Sequence, residues 1–139
     1  MDLDFQVGEK PDDDVEEFML NGWALVPGPN QAIKSTKNIV IAARQGSSII
    51  AVLKGWAAGG VGYASELLVG PEFRGRGVGT EMLAKFEEVC LKNSAHRLAL
   101  HVLADSDEQR LYERLGWSPE FEIDDWIEGR TYLQLRKDI

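Results

Sequence analysis

Twelve consecutive residues, Val69 to Thr80 (VGPEFRGRGVGT), constrain this chain more than any others. The apolar run Leu67-Leu68-Val69 leads in and reads as a strand, and a run with helical apolar spacing leads out. Between them four glycines and two arginines fall within ten residues. Gly75, Gly77 and Gly79 carry no Cβ, so a ligand can come close to the backbone and unusual φ/ψ values cost little. A helix that starts just after such a turn aims unpaired N–H groups, and the positive end of its dipole, at whatever lies in front of it. Arg74 and Arg76 add formal charge at the same place. Together these features predict a phosphate-holding turn.

The spacing excludes two well-defined phosphate loops. The dinucleotide fingerprint needs glycine at its first, third and sixth positions; Gly75 and Gly77 fit, but the sixth position is Thr80. The nucleoside-triphosphate loop ends in Gly-Lys-Ser/Thr, a tripeptide that occurs nowhere in the chain. What remains is Arg74-x-x-Gly77-x-Gly79 between a strand and a helix.

Around this turn the pattern predicts one α/β domain spanning 1–139, a length that buries a core without staples. Leu3, Phe5 and Val7 alternate as in a half-buried strand, and Pro11 with the acids after it suits the first turn of a helix striped by Val15, Phe18 and Met19. Trp23 to Asn30 reads as a loop and Gln31 to Thr36 as a short helix. Ile39–Ala43, Ile49–Leu53 and Tyr63–Val69 then form an antiparallel meander, with Gly55, Gly59, Gly60 and Gly62 as a loose turn. Val78, Met82, Leu83, Phe86, Val89 and Cys90 give the next helix an apolar face, which accounts for Cys90 as a small core residue. His96–Leu103 follows as a strand parallel to the one before the helix. Ser106 with Gln109, or Asp105 with Glu108, has capping-box spacing at the start of a further helix, and Phe121–Ile123 and Thr131–Leu135 complete the sheet. The predicted architecture is a mixed sheet of six to seven strands with helices on both faces.

Preceded by Val69-x-Pro71-Glu72-Phe73, the Arg-x-x-Gly-x-Gly turn resembles the coenzyme A pyrophosphate loop of the GNAT superfamily of N-acetyltransferases. A second stretch, Leu111-Tyr112-Glu113-Arg114-Leu115-Gly116-Trp117, is similar to the Leu-Tyr-x-x-Leu-Gly-Phe signature of the same family, with Trp117 in the aromatic position. The similarity covers most of residues 38 to 136, and two motifs in the right order are far more specific than one. The resemblance implies that the central parallel strands, ending near Val69 and Leu103, splay apart and that acetyl-CoA lies in the notch between them. It further implies cofactor contacts from Leu67, Leu68 and Val69 and from Arg74, Gly75, Arg76, Gly77, Val78, Gly79 and Thr80. An oxyanion donor near Leu68 or Val69 and a proton donor in Tyr112 follow from the same resemblance. Many members carry Asn seven residues before this tyrosine; here that position is Asp105, whose charge would repel an anionic cofactor, so a helix-capping role is expected instead.

Acetyl transfer to an amine needs a neutral nucleophile, although a lysine-like amine has a pKa of about 10.4 in water. Glu66, in the strand before the phosphate turn and on the face shared with Ala64 and Leu68, is the leading candidate base, because apolar neighbours raise the basicity of a carboxylate. His101 ranks below it, since a lone strand histidine is commonly packed and hydrogen-bonded. Glu72 reads as a surface residue. Two histidines and one cysteine lack metal-ligand spacing, and no nucleophile-turn motif occurs, so direct attack in a ternary complex is expected.

The formal net charge of −8 argues against nucleic-acid binding. Acidic residues at 12–17 and 120–128 suit a cationic acceptor, a small-molecule amine or a lysine side chain, or simply a solvated surface. No run of about eighteen apolar residues predicts a membrane span, and a lone cysteine with an acidic N-terminus suits the cytoplasm. Trp23, Trp56 and Trp126 are open to two uses, a homodimer surface or an acceptor pocket. A non-catalytic acyl-CoA-binding regulatory domain is the alternative to an enzyme.

Overall fold

Pro11 and the carboxylates behind it open the first helix, α1 (Asp13–Trp23), in the computed structural model. Asp13, Asp14 and Glu16 occupy its first turn, where negative charge meets the positive end of the helix dipole. The structure describes residues 1–28 and 36–139, which fall into two compact units, Met1–Ser35 and Thr36–Ile139. The helix expected over Gln31–Thr36 lies outside the described residues apart from Thr36, which is in neither helix nor strand. The strand expected from Leu3, Phe5 and Val7 does not form; all three side chains are exposed and residues 1–8 have no regular structure. A strand takes its hydrogen bonds from a neighbour, and no other described residue of this unit is in a strand.

The larger unit is a six-stranded sheet with two helices. β1 (Lys37–Gln45), β2 (Ser48–Ala58) and β3 (Val61–Val69) form the antiparallel meander. α2 (Val78–Lys92) carries the chain to β4 (Arg97–Leu103), which runs parallel to β3. α3 (Asp107–Arg114), β5 (Ser118–Ile123) and β6 (Tyr132–Asp138) follow, and the strand order is β1-β2-β3-β4-β6-β5. Among the described residues no helix is long and apolar enough to cross a membrane.

The core lies on one side of this sheet. Met82, Leu83, Phe86 and Cys90, the helical-spaced residues of α2, are buried with Leu53, Leu98, Leu100, Val102, Leu133 and Leu135. Tyr112 of α3 and Leu115 at its C-cap pack against the same cluster. Because side chains alternate along a strand, Arg97, Ala99 and His101 point to the other side. Burial, and secondarily the charge of Glu87, pushes the Cys90 thiol up to about 11, consistent with a packing role.

Two of the four glycines read as a loose turn lie inside strands instead. β2 runs through Gly55 to Ala58, and the hairpin turns at Gly59–Gly60. Gly62 is a site of close approach: a Cβ there would sit 2.5 Å from Cys90 Sγ and 2.7 Å from Leu98 Cδ2. The absent side chain lets α2 lie close over β3 and β4. The Gly62→Ala variant is expected to lose about 1–3 kcal/mol by overpacking. In a double-mutant cycle by chemical denaturation, pairing it with Cys90→Ala should cost less than the sum of the single changes.

Candidate active site

The pairing of β3 with β4 runs from Val61↔Arg97 to Ala64↔Leu100 and stops there. Beyond it β3 keeps only β2 as a partner and β4 keeps only β6, so the two strands part. Residues 65–69 of β3 therefore present alternate N–H groups to a gap. The splayed central strands implied by the family resemblance are present.

At the open end of β3 the chain turns sharply. Gly70 N–H donates to Ile50 O at 2.7 Å, a short 3-10 turn spans Pro71–Phe73, and Arg74 Nε donates back to Val69 O at 3.1 Å. That bond holds Arg74 at the strand end and leaves its two terminal nitrogens without a partner among the described residues. Gly75 and Gly77 have φ of 73° and 81°, the left-handed region that costs other residues about 1–2 kcal/mol. A Cβ on either would meet nothing within 4 Å, so conformation rather than crowding requires glycine there. Among the described residues, nothing accepts from the N–H groups of Gly75, Arg76, Gly77, Val78, Gly79 or Thr80. The first paired donor is Glu81, whose N–H reaches Gly77 O at 3.1 Å. Six amides without an acceptor thus follow one another along the turn and the helix start, and Arg74 with five of those six residues lines one cleft, a site suited to a diphosphate.

The cleft has a volume of about 620 Å³. One wall is Leu67, Leu68 and Val69 with the turn and the first residues of α2; the other is Glu108, Leu111 and Tyr112 of α3. The structure thus brings together all the expected cofactor-binding residues except Arg76, which does not line the cleft and whose guanidinium sits 5.7 Å from the centre of the Phe73 ring. Phe73, Glu108 and Leu111 also line it and were not anticipated. Glu108 precedes Tyr112 by four residues, a spacing that places both on one helix face and could have shown it.

Tyr112 is half-buried, its ring edge-on to Trp117 with centroids 6.0 Å apart. Burial first, and the Glu108 charge second, raise its pKa, so the phenol keeps its proton across the neutral range. The start of α3 corrects the expectation for Asp105. The cap is Ser106, whose Oγ accepts from Gln109 N–H at 3.1 Å; Asp105 lies before it with φ of 58°, and its N–H donates to Gln109 Oε1 at 2.7 Å. Of the two spacings read as a capping box, Ser106 with Gln109 supplies the cap.

Glu66 does not line the cleft. Its side chain is 71% exposed, with Lys54 Nζ at 4.0 Å, so the apolar surroundings expected for it are absent. A bulge explains the difference. Lys54 pairs with Glu66 but Gly55 pairs with Ala64, leaving Ser65 as an extra residue that shifts the alternation and separates Glu66 from the face of Ala64. His101 is half-buried, with Nε2 3.0 Å from Gln134 Oε1. Glu72 is exposed, as expected.

Comparison with known proteins agrees with this geometry. The model of the Acetyltransferase (GNAT) family matches residues 4–117, and the chain belongs to that family. A candidate acetyltransferase from Agrobacterium tumefaciens has the same fold, with a TM-score of 0.74 at 21% identity over 99% of this chain and 100% of that one. An acetyltransferase from Bacillus cereus superposes with a TM-score of 0.71 at 13% identity, covering 96% and 98% of the two chains. A GNAT acetyltransferase from Elizabethkingia anophelis, solved with acetyl-CoA bound, gives 0.68 at 13% identity over 91% and 85%. Among curated proteins none matches the sequence significantly.

The raised Tyr112 pKa has a consequence for stability. The unfolded chain releases this phenolic proton near pH 10, before the folded chain does, so the contribution is complete below about pH 10 and is lost as pH rises through the folded value. Denaturation midpoints measured across about pH 9 to 11.5 should fall more gently for Tyr112→Phe than for the wild type.

Proposed function

We propose that the protein moves an acetyl group from acetyl-CoA to a primary amine by direct attack in a ternary complex. The observation that carries this reading is the convergence of free amides and Arg74 on a cleft whose far wall holds a protonated Tyr112. The cleft fits the cosubstrate on its own chemistry: the N–H groups of residues 75–80 and Arg74 hold the diphosphate, and the unpaired edge of β3 runs alongside the arm that carries the thioester. The Elizabethkingia relative, which holds acetyl-CoA in a structure of the same fold, supports that assignment.

Three groups of this chain divide the work. The helix start and the turn bind and orient the diphosphate. Gly70 N–H is taken by Ile50 O of β2, so alternation turns the N–H of Val69 to the gap, where it offers a hydrogen bond to the carbonyl oxygen as it gains negative charge. Tyr112 gives its proton to the departing sulfur, a transfer that its raised pKa keeps available at neutral pH. The acceptor is a cationic amine, in line with the net charge of −8, which concentrates cations at the surface.

Thermal shift with acetyl-CoA tests the binding half. The wild type should gain about 2.7 kcal/mol at a hundredfold excess over Kd, while Arg74→Ala and Gly77→Val lose most of the shift. Thiol release with pooled primary amines tests the chemistry. Tyr112→Phe should keep the thermal shift and lose about 10²-fold in kcat. Acetyl-CoA binding with no thiol release from any amine would instead mark a regulatory domain. Anionic amines outcompeting cationic ones would reject the acceptor assignment.

A further inference from the structure

On the side of the sheet away from α2 and α3, polar side chains form one connected line. His101 stands at its head, the first residue of β4 beyond the last pair with β3, Ala64↔Leu100. It therefore borders the gap from the side opposite Tyr112. Gln134, its register partner on β6, contacts His101 Nε2 through Oε1 at 3.0 Å and donates from Nε2 to Glu120 Oε2 at 2.9 Å. Arg97 donates to the same carboxylate oxygen at 2.6 Å, and Arg136 stands 3.5 Å from the other. Glu120 is aimed there by a bulge in β5: Pro119 pairs with Leu135 and Phe121 with Gln134, which leaves Glu120 as the extra residue.

The line fixes where the histidine proton sits. The hydrogen bond from Arg97, then that from Gln134, holds the Glu120 carboxyl below its ordinary value, so it is ionised and only accepts. Gln134 must turn its NH₂ toward Glu120 and its carbonyl oxygen toward His101. A carbonyl oxygen only accepts, so His101 Nε2 carries the hydrogen. In the neutral ring the lone pair is then on Nδ1, which has no partner among the described residues. Tyr63 of β3 closes the other flank, its ring edge-on to His101 with centroids 5.5 Å apart, and Trp56 lies 5.5 Å beyond it. The titratable and charged groups on the imidazole's side of the sheet are Tyr63 and, beyond the bulge, Glu66 of β3, Tyr132 two residues from Gln134 on β6, Glu120 from β5 through Gln134, and Arg97 and Arg136 behind Glu120.

We propose that His101 is the base of the transfer, its Nδ1 taking the proton of the acceptor amine at the edge of the gap, with Gln134 and Glu120 as positioning residues. This rests on the transferase reading above. The amine enters from the open side of the sheet and the thioester from the cleft. As the C–N bond forms, the nitrogen sheds a proton to Nδ1. As the C–S bond breaks, the thiolate takes the Tyr112 proton. The imidazolium then loses a proton to water and the tyrosinate regains one, so one amine and one thioester give one amide and one thiol.

The test compares wild type with His101→Gln, which keeps a donor toward Gln134, and with Glu120→Gln and Glu66→Gln. Acetyl-CoA thermal shift should be unchanged in His101→Gln. Thiol release with the amine pool should fall about 10²–10⁴-fold near pH 7 and recover toward the wild type as pH approaches the pKa of the amine, about 10. Nitrogen-15 NMR of the neutral histidines should show the Nε2–H tautomer at His101, and Glu120→Gln should relax that preference. A wild-type rate for His101→Gln at pH 7, an equal loss at every pH, or loss in Glu66→Gln alone overturns the assignment. So does an Nδ1–H tautomer, whatever the acetyl-CoA result. A wild type that acetyl-CoA does not stabilise, or that turns over no amine, overturns the transferase reading and the base with it.

Discussion

Hydrogen bonding between β3 and β4 ends after four residue pairs, and the arrangement of the larger unit depends on that ending. Backbone polar groups in a sheet interior are costly to leave unpaired. Here the cost is contained because each strand keeps its outer neighbour, β2 for β3 and β6 for β4. The sheet stays continuous at one end and opens at the other, without a break in the chain. The opening sits at the carboxyl ends of parallel strands, where α/β proteins admit ligands.

The gap separates two chemically different sides. Toward α2 and α3 lie the apolar core, the free amides of the turn and a phenol that burial keeps protonated. On the other side an aromatic pair and a chain of hydrogen bonds run from His101 to Arg97. The two sides communicate through the sheet where the strands part.

Much of this was legible in the residues themselves. Arg74, Gly75 and Gly77 between an apolar strand and an amphipathic helix pointed to a diphosphate turn, and both glycines take the left-handed backbone that such a turn requires. The helical spacing of Met82, Phe86 and Cys90 located the core. What escaped was phase. Periodicity counts residues and cannot see an extra one, so the Ser65 bulge misplaced Glu66 and the Glu120 bulge hid a carboxylate that reaches across β6. Gly55 and Gly62 misled for a related reason: glycine serves turns and close packing alike, and only the neighbours tell which. Leu3, Phe5 and Val7 show that alternation is not sufficient for a strand.

The bulge at Glu120 also affects how the molecule behaves in a crowd. β5 is an edge of the sheet, and an edge invites foreign strands to add to it. Pro119 offers no N–H, the extra residue beside it breaks the repeat of donors and acceptors, and Glu120 and Glu122 put carboxylates along the same short segment. A passing strand finds no regular ladder to copy. The device that turns one side chain inward therefore also discourages edge-to-edge aggregation.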